Sequence, residues 1–226
     1  PREFIEQSSC VIFQDDQVIT FNDEVACRKP TCLKGITGAV QAAALMAILE
    51  KLTEPELKVR ENEKGELEFR GKKKGFGIVK DAEIFLPIDR VEVPEKWKSL
   101  PPEFTEAVGL VQHCVSKDEN KFLLTCIHLS PTHIEACDNM QIMRYELDTK
   151  LKSSVLVRGT SLQQLTSLAM DSISLTESWI HFRNQSGLIY SCRRYVEEYP
   201  NLDGILSVKG HAIVIPKGLS EASERA

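Results

Sequence analysis

The sequence predicts an α+β protein in which one domain occurs twice in tandem, each copy with an antiparallel sheet outside and helices on one face. Three observations predict this class: a β-hairpin pattern, a helical pattern and a pair of strand patterns follow one another and then recur in the same order. Cys10 corresponds to Cys126, Leu45 to Leu162 and Phe69 to Phe182, at offsets that agree within four residues. A period of this length is typical of duplicated domains and not of a solenoid.

Each copy begins with a hairpin. Apolar and polar residues alternate along SSCVIFQDDQVITFNDEVACRKP, on both sides of a turn at residues 15–17. The same alternation occurs in LLTCIHLSPTHIEACDNMQIMRYEL, with its turn at residues 130–132. Helical spacing of apolar residues follows in GAVQAAALMAILEKL and in VRGTSLQQLTSLAM, and strand patterns follow in LKVRENEKGELEFRGKKKGFGIV and in SISLTESWIHFRNQSGLIYSCRRY.

The segment FLPIDRVEVPEKWKSLPPEF is rich in proline, which disfavours both helices and sheet interiors, and it separates the two copies. We therefore predict a first domain over residues 1–89, a linker over 90–101, a second domain over 102–199, and a connector with the start of a third domain over 200–226. Phe104, Val108, Val111 and Val115 predict a helix that opens the second domain. Residues 1–9 hold only part of an equivalent helix, so we expect this chain to lack the rest of it. AIVIPKGLSEASERA begins a strand and then a helix that stops within its pattern, so we expect most of a third repeat, about 110 to 150 further residues, at the C-terminus of the natural chain.

Composition limits the possible functions. The formal net charge of −5 argues against a protein that binds nucleic acid with its whole surface, although a single basic face is compatible with it. The seven cysteines are odd in number and mostly lie in apolar strand patterns, which indicates reduced and buried thiols. The sequence has no apolar run long enough to cross a bilayer, and PREFIEQ is unlike a signal peptide, so we expect a soluble protein of the cytoplasm.

The sequence contains no nucleophile elbow, Walker loop or zincin motif, and RGKKKGFG lies between two strand patterns where a phosphate-binding loop would need a following helix. We therefore predict that the protein is not an enzyme and has no cofactor. Cys27 and Cys32 lack a second cysteine pair or a histidine doublet, so no metal site is predicted. An enzyme of unrecognised type stays open as an alternative, and its candidate residues are the scattered His113, His128, His133, His181 and His211.

The order helix, hairpin, helix and strand pair, repeated with proline-bearing connectors, resembles the bacterial DNA polymerase III β sliding clamps. The matching stretches include SSCVIFQDDQVITFNDEVAC and GELEFRGKKKGFGIV in the first copy, and HIEACDNMQIMRYEL and IYSCRRYVEEYPNLDGIL in the second. SEASERA resembles the opening of the third clamp domain. Where these clamps read A-T-D-G-H-R-L, this chain reads ACDNMQI at residues 136–142. This departure suggests a divergent clamp, encoded by a phage or a mobile element.

The resemblance implies a surface that contacts the phosphates of duplex DNA without reading its sequence. The residues at positions that correspond to this surface of the clamps are Arg2, Lys72, Lys73, Lys74, Lys117 and Lys121. For Lys72, Lys73 and Lys74, a solvated hairpin tip without contact to DNA is an equal alternative. Asp118 and Glu119 weaken the assignment of the loop SKDENK, for which a plain helix-ending loop is the alternative.

The resemblance also implies an apolar cleft that receives short peptides of DNA polymerases and clamp loaders. The matching residues are Leu123, Cys137, Asn139, Met140, Gln141 and Ile142 of the second domain, with Pro200 and Ile205 of the connector. Leu123 and Ile142 could equally be ordinary core residues of strands.

These expectations together describe a non-catalytic processivity factor that encircles duplex DNA. A head-to-tail dimer of three-domain chains would close the ring, and a trimer would close it if the chain has two domains only. The alternative is an interaction module that reuses the duplicated fold without encircling DNA, which the net charge of −5 favours.

Overall fold

The computed structural model describes residues 7–52, 54–72, 74–207, 209–211, 214–216, 218–219 and 222. The first repeat consists of β1 (Cys10–Gln14), β2 (Gln17–Phe21), β3 (Val25–Pro30), β4 (Gly38–Gln41), α1 (Ala42–Leu49), β5 (Lys58–Glu61), β6 (Glu66–Arg70) and β7 (Gly75–Val79). The second consists of β8 (Lys98–Ser99), α2 (Phe104–Val111), β9 (Cys126–Leu129), β10 (His133–Cys137), β11 (Ile142–Glu146), β12 (Val155–Arg158), α3 (Gly159–Leu162), β13 (Ser172–Leu175), β14 (Trp179–Arg183) and β15 (Ile189–Tyr195). A short helix, α4 (Asp203–Leu206), follows in the connector.

The two hairpins form as the alternation predicts. Ile12 pairs with Ile19 across β1 and β2, and Leu129 pairs with Ile134 across β9 and β10. Asp15 and Asp16 connect the first pair of strands, and both have positive φ, 51° and 57°. Two consecutive residues with positive φ are typical of a type I′ turn, whose twist matches that of the flanking strands.

The helices are shorter than the periodicity predicts. The residues GAVQ form β4 and not the first turn of a helix, because Val40 pairs with Val11 at the edge of β1. In the second repeat, α3 has a single turn and continues as the 3-10 helix Gln163–Ser167. Similarly, α2 ends at Val111 and continues as the 3-10 helix Gln112–Cys114, so Val115 lies beyond it.

One sheet runs through both repeats. Its main strand order is β11-β10-β9-β12-β15-β3-β2-β1-β4, and β14, β13 and β8 extend from β15 as a branch. The junction is the antiparallel pairing of β15 with β3, in which Tyr190 lies opposite Cys27. Strands β5, β6 and β7 form a separate sheet. Among the described strands, β7 pairs only with β6 and β11 only with β10, so each keeps a free edge.

The proline-rich segment packs tightly between the repeats. Leu86, Ile88 and Val91 are buried in a cluster that also contains Trp179 of the second repeat and apolar residues of β1, β2 and β3. Ile88 also accepts a hydrogen bond at its carbonyl oxygen from the guanidinium of Arg28, at 2.6 Å. Contacts from both repeats therefore hold the linker in place.

Five of the seven cysteines are buried, as their position in apolar strand patterns predicts, and none of the seven forms a disulfide. Cys32 alone is exposed. None of the helices among the described residues has the length and apolar composition that crossing a membrane would require.

Candidate partner cleft and cationic surface

The turn between β10 and β11 presents the central residues of the predicted cleft. The Asp138 carboxylate accepts hydrogen bonds from the main-chain N–H groups of Met140 and Gln141, at 2.9 and 2.8 Å. These bonds lower the pKa of Asp138. Asn139 has a φ of 77°, which closes the turn. Met140 is consequently held out in solvent with 88% of its surface exposed, and Ile142 follows half-buried at the start of β11.

The connector folds back onto this turn together with Tyr199, the residue that immediately precedes it. The main-chain N–H of Cys137 donates a hydrogen bond to the Tyr199 hydroxyl oxygen at 3.0 Å, and the Tyr199 ring stacks on His128 at a centroid distance of 5.1 Å. Asp203 of α4 pairs with Arg144 of β11 at 2.7 Å. The connector is therefore fixed to the second repeat at two points.

The structure places Pro200 and Ile205 on this connector and leaves both exposed, Ile205 with 62% of its surface. It brings Cys137 into direct contact with the connector, although Cys137 itself is buried. Leu123 is half-buried in the 3-10 helix Phe122–Thr125, which precedes β9.

A groove that the sequence did not indicate lies beside the connector, with a volume of about 370 Å³. Its walls include Leu156, Tyr195, Val196, Glu198 and Tyr199. Two tyrosines and three aliphatic side chains, those of Val155, Leu156 and Val196, give it the mixed character of many peptide-binding surfaces. The residues that form it are separated in sequence and come together because β12 pairs with β15.

A buried charge cluster lies beneath the connector. Glu135 is only 2% exposed, and its carboxylate contacts His128 at 2.7 Å, His133 at 3.3 Å and Arg144 at 2.7 Å. Burial by itself would raise the pKa of Glu135, but the hydrogen bonds from His128 and Arg144 outweigh it, and the pKa is lowered. Sequence reasoning treated the two histidines as scattered residues, because only the cross-strand register brings them together.

The hairpin tip between β6 and β7 exposes Lys72 and Lys74, as the sequence predicts. Lys73 and Arg2 lie outside the described residues. The tip is anchored at its base, because the main-chain N–H of Lys72 donates a hydrogen bond to the Glu54 carboxylate at 2.7 Å. Glu68 on the adjoining strand binds both Arg60 and Arg70, so cations and anions are mixed around the tip.

The loop before β9 exposes Lys117 and Lys121. Lys121 lies 3.9 Å from Asp118, and Glu119 pairs with Arg158 at 2.6 Å. The acidic residues of this loop therefore partly neutralise its cations. Residues 42–49, 104–111 and 159–162, which form the three main helices, contain no lysine or arginine. Of the cations predicted to contact DNA, the four that the structure describes, Lys72, Lys74, Lys117 and Lys121, lie on a hairpin tip and on a loop and not on α-helices.

No protein-family model matches the sequence, and no curated protein matches it. Solved structures do match. The DNA polymerase III beta chain from Streptococcus pneumoniae superposes with a TM-score of 0.73 at 15% identity, over 88% of this chain and 59% of that chain. The DNA polymerase sliding clamp from Bacillus subtilis superposes with a TM-score of 0.70 at 16% identity, over 96% of this chain and 62% of that chain.

The Helicobacter pylori beta clamp bound to a DNA ligase peptide superposes with a TM-score of 0.70 at 13% identity, over 89% of this chain and 62% of that chain. The chain spans about three fifths of the length of these solved clamps. The chain therefore has the fold of the DNA polymerase III β sliding clamps.

Proposed function

We propose that the protein is a divergent, non-catalytic sliding clamp of the cytoplasm that encircles duplex DNA and holds DNA polymerase and clamp-loader peptides in its cleft. The observation that carries this proposal is the clamp fold over about nine tenths of the chain. The pairing of β15 with β3 supports it further, because a repeat that adds to its neighbour through a sheet edge can be extended around a ring.

The proposal assigns DNA contact to Arg2, Lys72, Lys73, Lys74, Lys117 and Lys121. These cations would meet phosphates only, so binding should be weak, independent of sequence and dependent on salt. Retention on DNA tests encirclement directly. A closed ring stays on circular DNA and slips off the same DNA after linearisation, whereas a surface binder is retained equally by both.

Changing Lys72, Lys73 and Lys74 together to Ala should weaken DNA association to a similar degree on unrelated sequences. The slope of log K against log salt should fall by roughly one unit for each lysine that had neutralised a phosphate, because each such pairing releases counterions. Binding assays at several salt concentrations measure this slope. Lys29, Lys34 and Lys51 changed together to Ala provide a control with the same change in net charge. An unchanged slope in the hairpin variant would show that the tip does not face DNA.

The partner cleft is assigned to Leu123, Cys137, Asn139, Met140, Gln141, Ile142, Pro200 and Ile205. The DNA ligase peptide bound by the Helicobacter pylori clamp is a suitable probe for it. Changing Met140 to Ser and Ile142 to Thr should lower peptide affinity at least about 10-fold, because an apolar cleft binds its peptide less well once its floor is hydrated. DNA retention should be unaffected.

The matched control is Val79→Thr, which removes an apolar group from a side chain that is 71% exposed and lies in the first repeat. Fluorescence anisotropy with a labelled peptide compares the variants. Equal affinity of the Met140 and Ile142 variant and the control would exclude the turn at residues 137–142 from the binding site.

A second function is favoured by the absence of lysine and arginine from α1, α2 and α3 and by the net charge of −5. Both observations fit an interaction module that keeps the clamp fold and the peptide cleft without encircling DNA. Such a module would bind the peptide and show no retention on circular DNA.

A further inference from the structure

Three side chains of the types that bind transition metals converge on the hairpin of β9 and β10. His128 lies on β9, directly opposite Glu135 of β10, and His133 precedes Glu135 by two residues on the same face of the strand. One possible ligand atom from each side chain lies within 4.8 Å of those from the other two. The backbone pairing of two strands therefore sets their arrangement.

The distances within this cluster suit an ion. Nδ1 of His128 lies 2.7 Å and Nε2 of His133 lies 3.3 Å from the same carboxylate oxygen, Oε1 of Glu135. Ligand atoms about 2.0 to 2.2 Å from a tetrahedral zinc ion lie about 3.3 Å from one another. The contact between His133 and Glu135 already has this length, the contact of His128 with Glu135 must widen by about 0.6 Å, and the ligand nitrogens of the two histidines lie within 4.8 Å of each other.

One nitrogen of the cluster lacks a hydrogen bond. Among the described residues, Nε2 of His133 is buried and has no partner in hydrogen-bonding geometry, although it faces Oε1 of Glu135. The other ring nitrogen, Nδ1, lies 3.0 Å from the hydroxyl of Thr132. If Nδ1 donates its proton to that hydroxyl, Nε2 presents a lone pair to the carboxylate. Two lone pairs at this distance repel each other unless a proton or a metal ion lies between them.

The surroundings resemble the outer shell of a metal site. Arg144 binds Glu135 through Oε2 at 2.7 to 2.8 Å, which orients the carboxylate and leaves Oε1 for an ion. Asp203 contacts Arg144 at 2.7 Å and offsets its positive charge. Thr132 occupies the position of the usual hydrogen-bond acceptor behind a metal-binding histidine.

We propose that His128, His133 and Glu135 bind one divalent transition-metal ion, such as Zn²⁺, and leave a fourth position for water. Two imidazoles and one carboxylate favour Zn²⁺ over Ca²⁺ or Mg²⁺, which take ligands mainly from oxygen. The ion would join β9 to β10 and stabilise the second repeat. Tyr199 stacks on His128, so the ion would also steady the connector that carries part of the cleft. The site depends on neither DNA binding nor ring formation.

Zn²⁺ titration of the whole chain by calorimetry tests the site, with one ion bound per chain as the expected result. Co²⁺ in place of Zn²⁺ should give the visible absorption of tetrahedral cobalt without the thiolate-to-cobalt charge-transfer band. That band would instead assign binding to cysteines such as the exposed Cys32 and would overturn the proposal.

His133→Gln and His128→Asn should each lower Zn²⁺ affinity at least about 100-fold, because loss of a direct ligand exceeds the 10- to 100-fold cost of losing a hydrogen-bond partner of a ligand. His113→Gln, at a site outside the cluster, should bind as the unmodified chain does. Zn²⁺ should also raise the melting temperature of the unmodified chain and leave that of His133→Gln unchanged. Circular dichroism in chelator verifies that both cluster variants fold. Unchanged affinity in either folded variant, or no bound ion in the unmodified chain, would show that the cluster is an ordinary ion-pair network.

Discussion

His181 on β14 is fully buried, and its ring contacts two hydroxyl groups. Its Nε2 lies 2.9 Å from the Thr176 hydroxyl, and its Nδ1 lies 2.8 Å from the Ser191 hydroxyl. Burial lowers its pKa from 6.5 to about 4, with Glu92 opposing the shift and Arg28 adding to it. The folded chain therefore keeps His181 neutral in a pH range where the unfolded chain protonates it.

This depressed pKa predicts a loss of stability in mild acid. The contribution of neutral His181 to the free energy of unfolding is fully present above pH 6.5. It is lost as the pH falls towards 4, because His181 takes up a proton in the unfolded chain and stays neutral in the folded one. The free energy of unfolding should fall by roughly 2 to 3 kcal/mol from this group between about pH 7 and 4.5. Urea unfolding at the two pH values measures the change.

His181→Gln retains a polar side chain that cannot take up a proton, so its stability should depend less on pH over this range. His113→Gln, at a position outside the buried core, is the matched control and should keep the dependence of the unmodified chain. An equal pH dependence in all three chains would show that His181 is not the responsible group.

Strand patterns were predictable from the sequence, but the contacts between residues of neighbouring strands were not. Alternation of apolar and polar residues correctly predicted a strand at β10, although Ile134, Glu135, Ala136 and Cys137 are all buried, so both faces of the strand are covered. The meeting of His128 with Glu135 depends instead on register, and a slip by one residue would turn them to opposite faces. Nothing in the local pattern of either strand specifies that register.

At the start of α3, Gly159 packs closely against residues 112–115, which follow α2. A Cβ atom at this position would lie 2.8 and 3.0 Å from the methyl carbons of Val115 and 3.2 Å from Nε2 of Gln112. Valine is β-branched and stiff, so it cannot turn aside cheaply. Gly109 in α2 is different, because its nearest contact would be Thr166 at 3.7 Å, an ordinary packing distance.

The same substitution at these two glycines should therefore have opposite effects. Gly159→Ala should reduce the free energy of unfolding by about 1 to 3 kcal/mol through overpacking. Gly109→Ala should increase it by about 0.5 to 1 kcal/mol, because alanine has the higher helix propensity. Urea unfolding curves compare the two variants, and stabilisation by Gly159→Ala would contradict the close packing of α3 against the segment that follows α2.

The sequence predicted the type and order of the helices and strands better than it predicted their lengths. Apolar spacing located all three main helices, but it assigned Val40 to a helix, although it pairs in β4. The short α3 is followed by a 3-10 helix in which the hydroxyls of Thr166 and Ser167 bond to carbonyl oxygens three residues earlier. Such bonds accompany tightened helical turns, and a count of apolar residues does not reveal them.

In the whole molecule, the duplication predicts that the free edges of β7 and β11 are complementary. Strand β7 is the counterpart of β15, and β11 is the counterpart of β3. Because β15 pairs with β3 between repeats, β7 of one chain should pair with a β11-like edge of another. Transfer of the observed register predicts that Gly75 lies opposite Arg144 and Phe76 opposite Met143. Closure of six repeats requires three copies of a two-repeat chain or two copies of a three-repeat chain.

Gly77→Lys tests this assembly, since a lysine on an edge strand opposes pairing with another chain. A Cβ atom at this position has room, with Glu66 as its nearest neighbour at 3.5 Å, so the fold of the chain should persist. Light scattering over a range of concentrations should show a ring mass for the unmodified chain and a smaller mass for the variant. Gly210→Lys adds the same charge where, apart from its chain neighbours, none of the described residues has an atom within 4 Å of the added Cβ, and it should assemble normally. If Gly77→Lys assembles as well as Gly210→Lys does, the β7 edge is not an assembly surface. The clamp fold would then serve a protein that acts without closing a ring, in line with helices that carry no lysine or arginine.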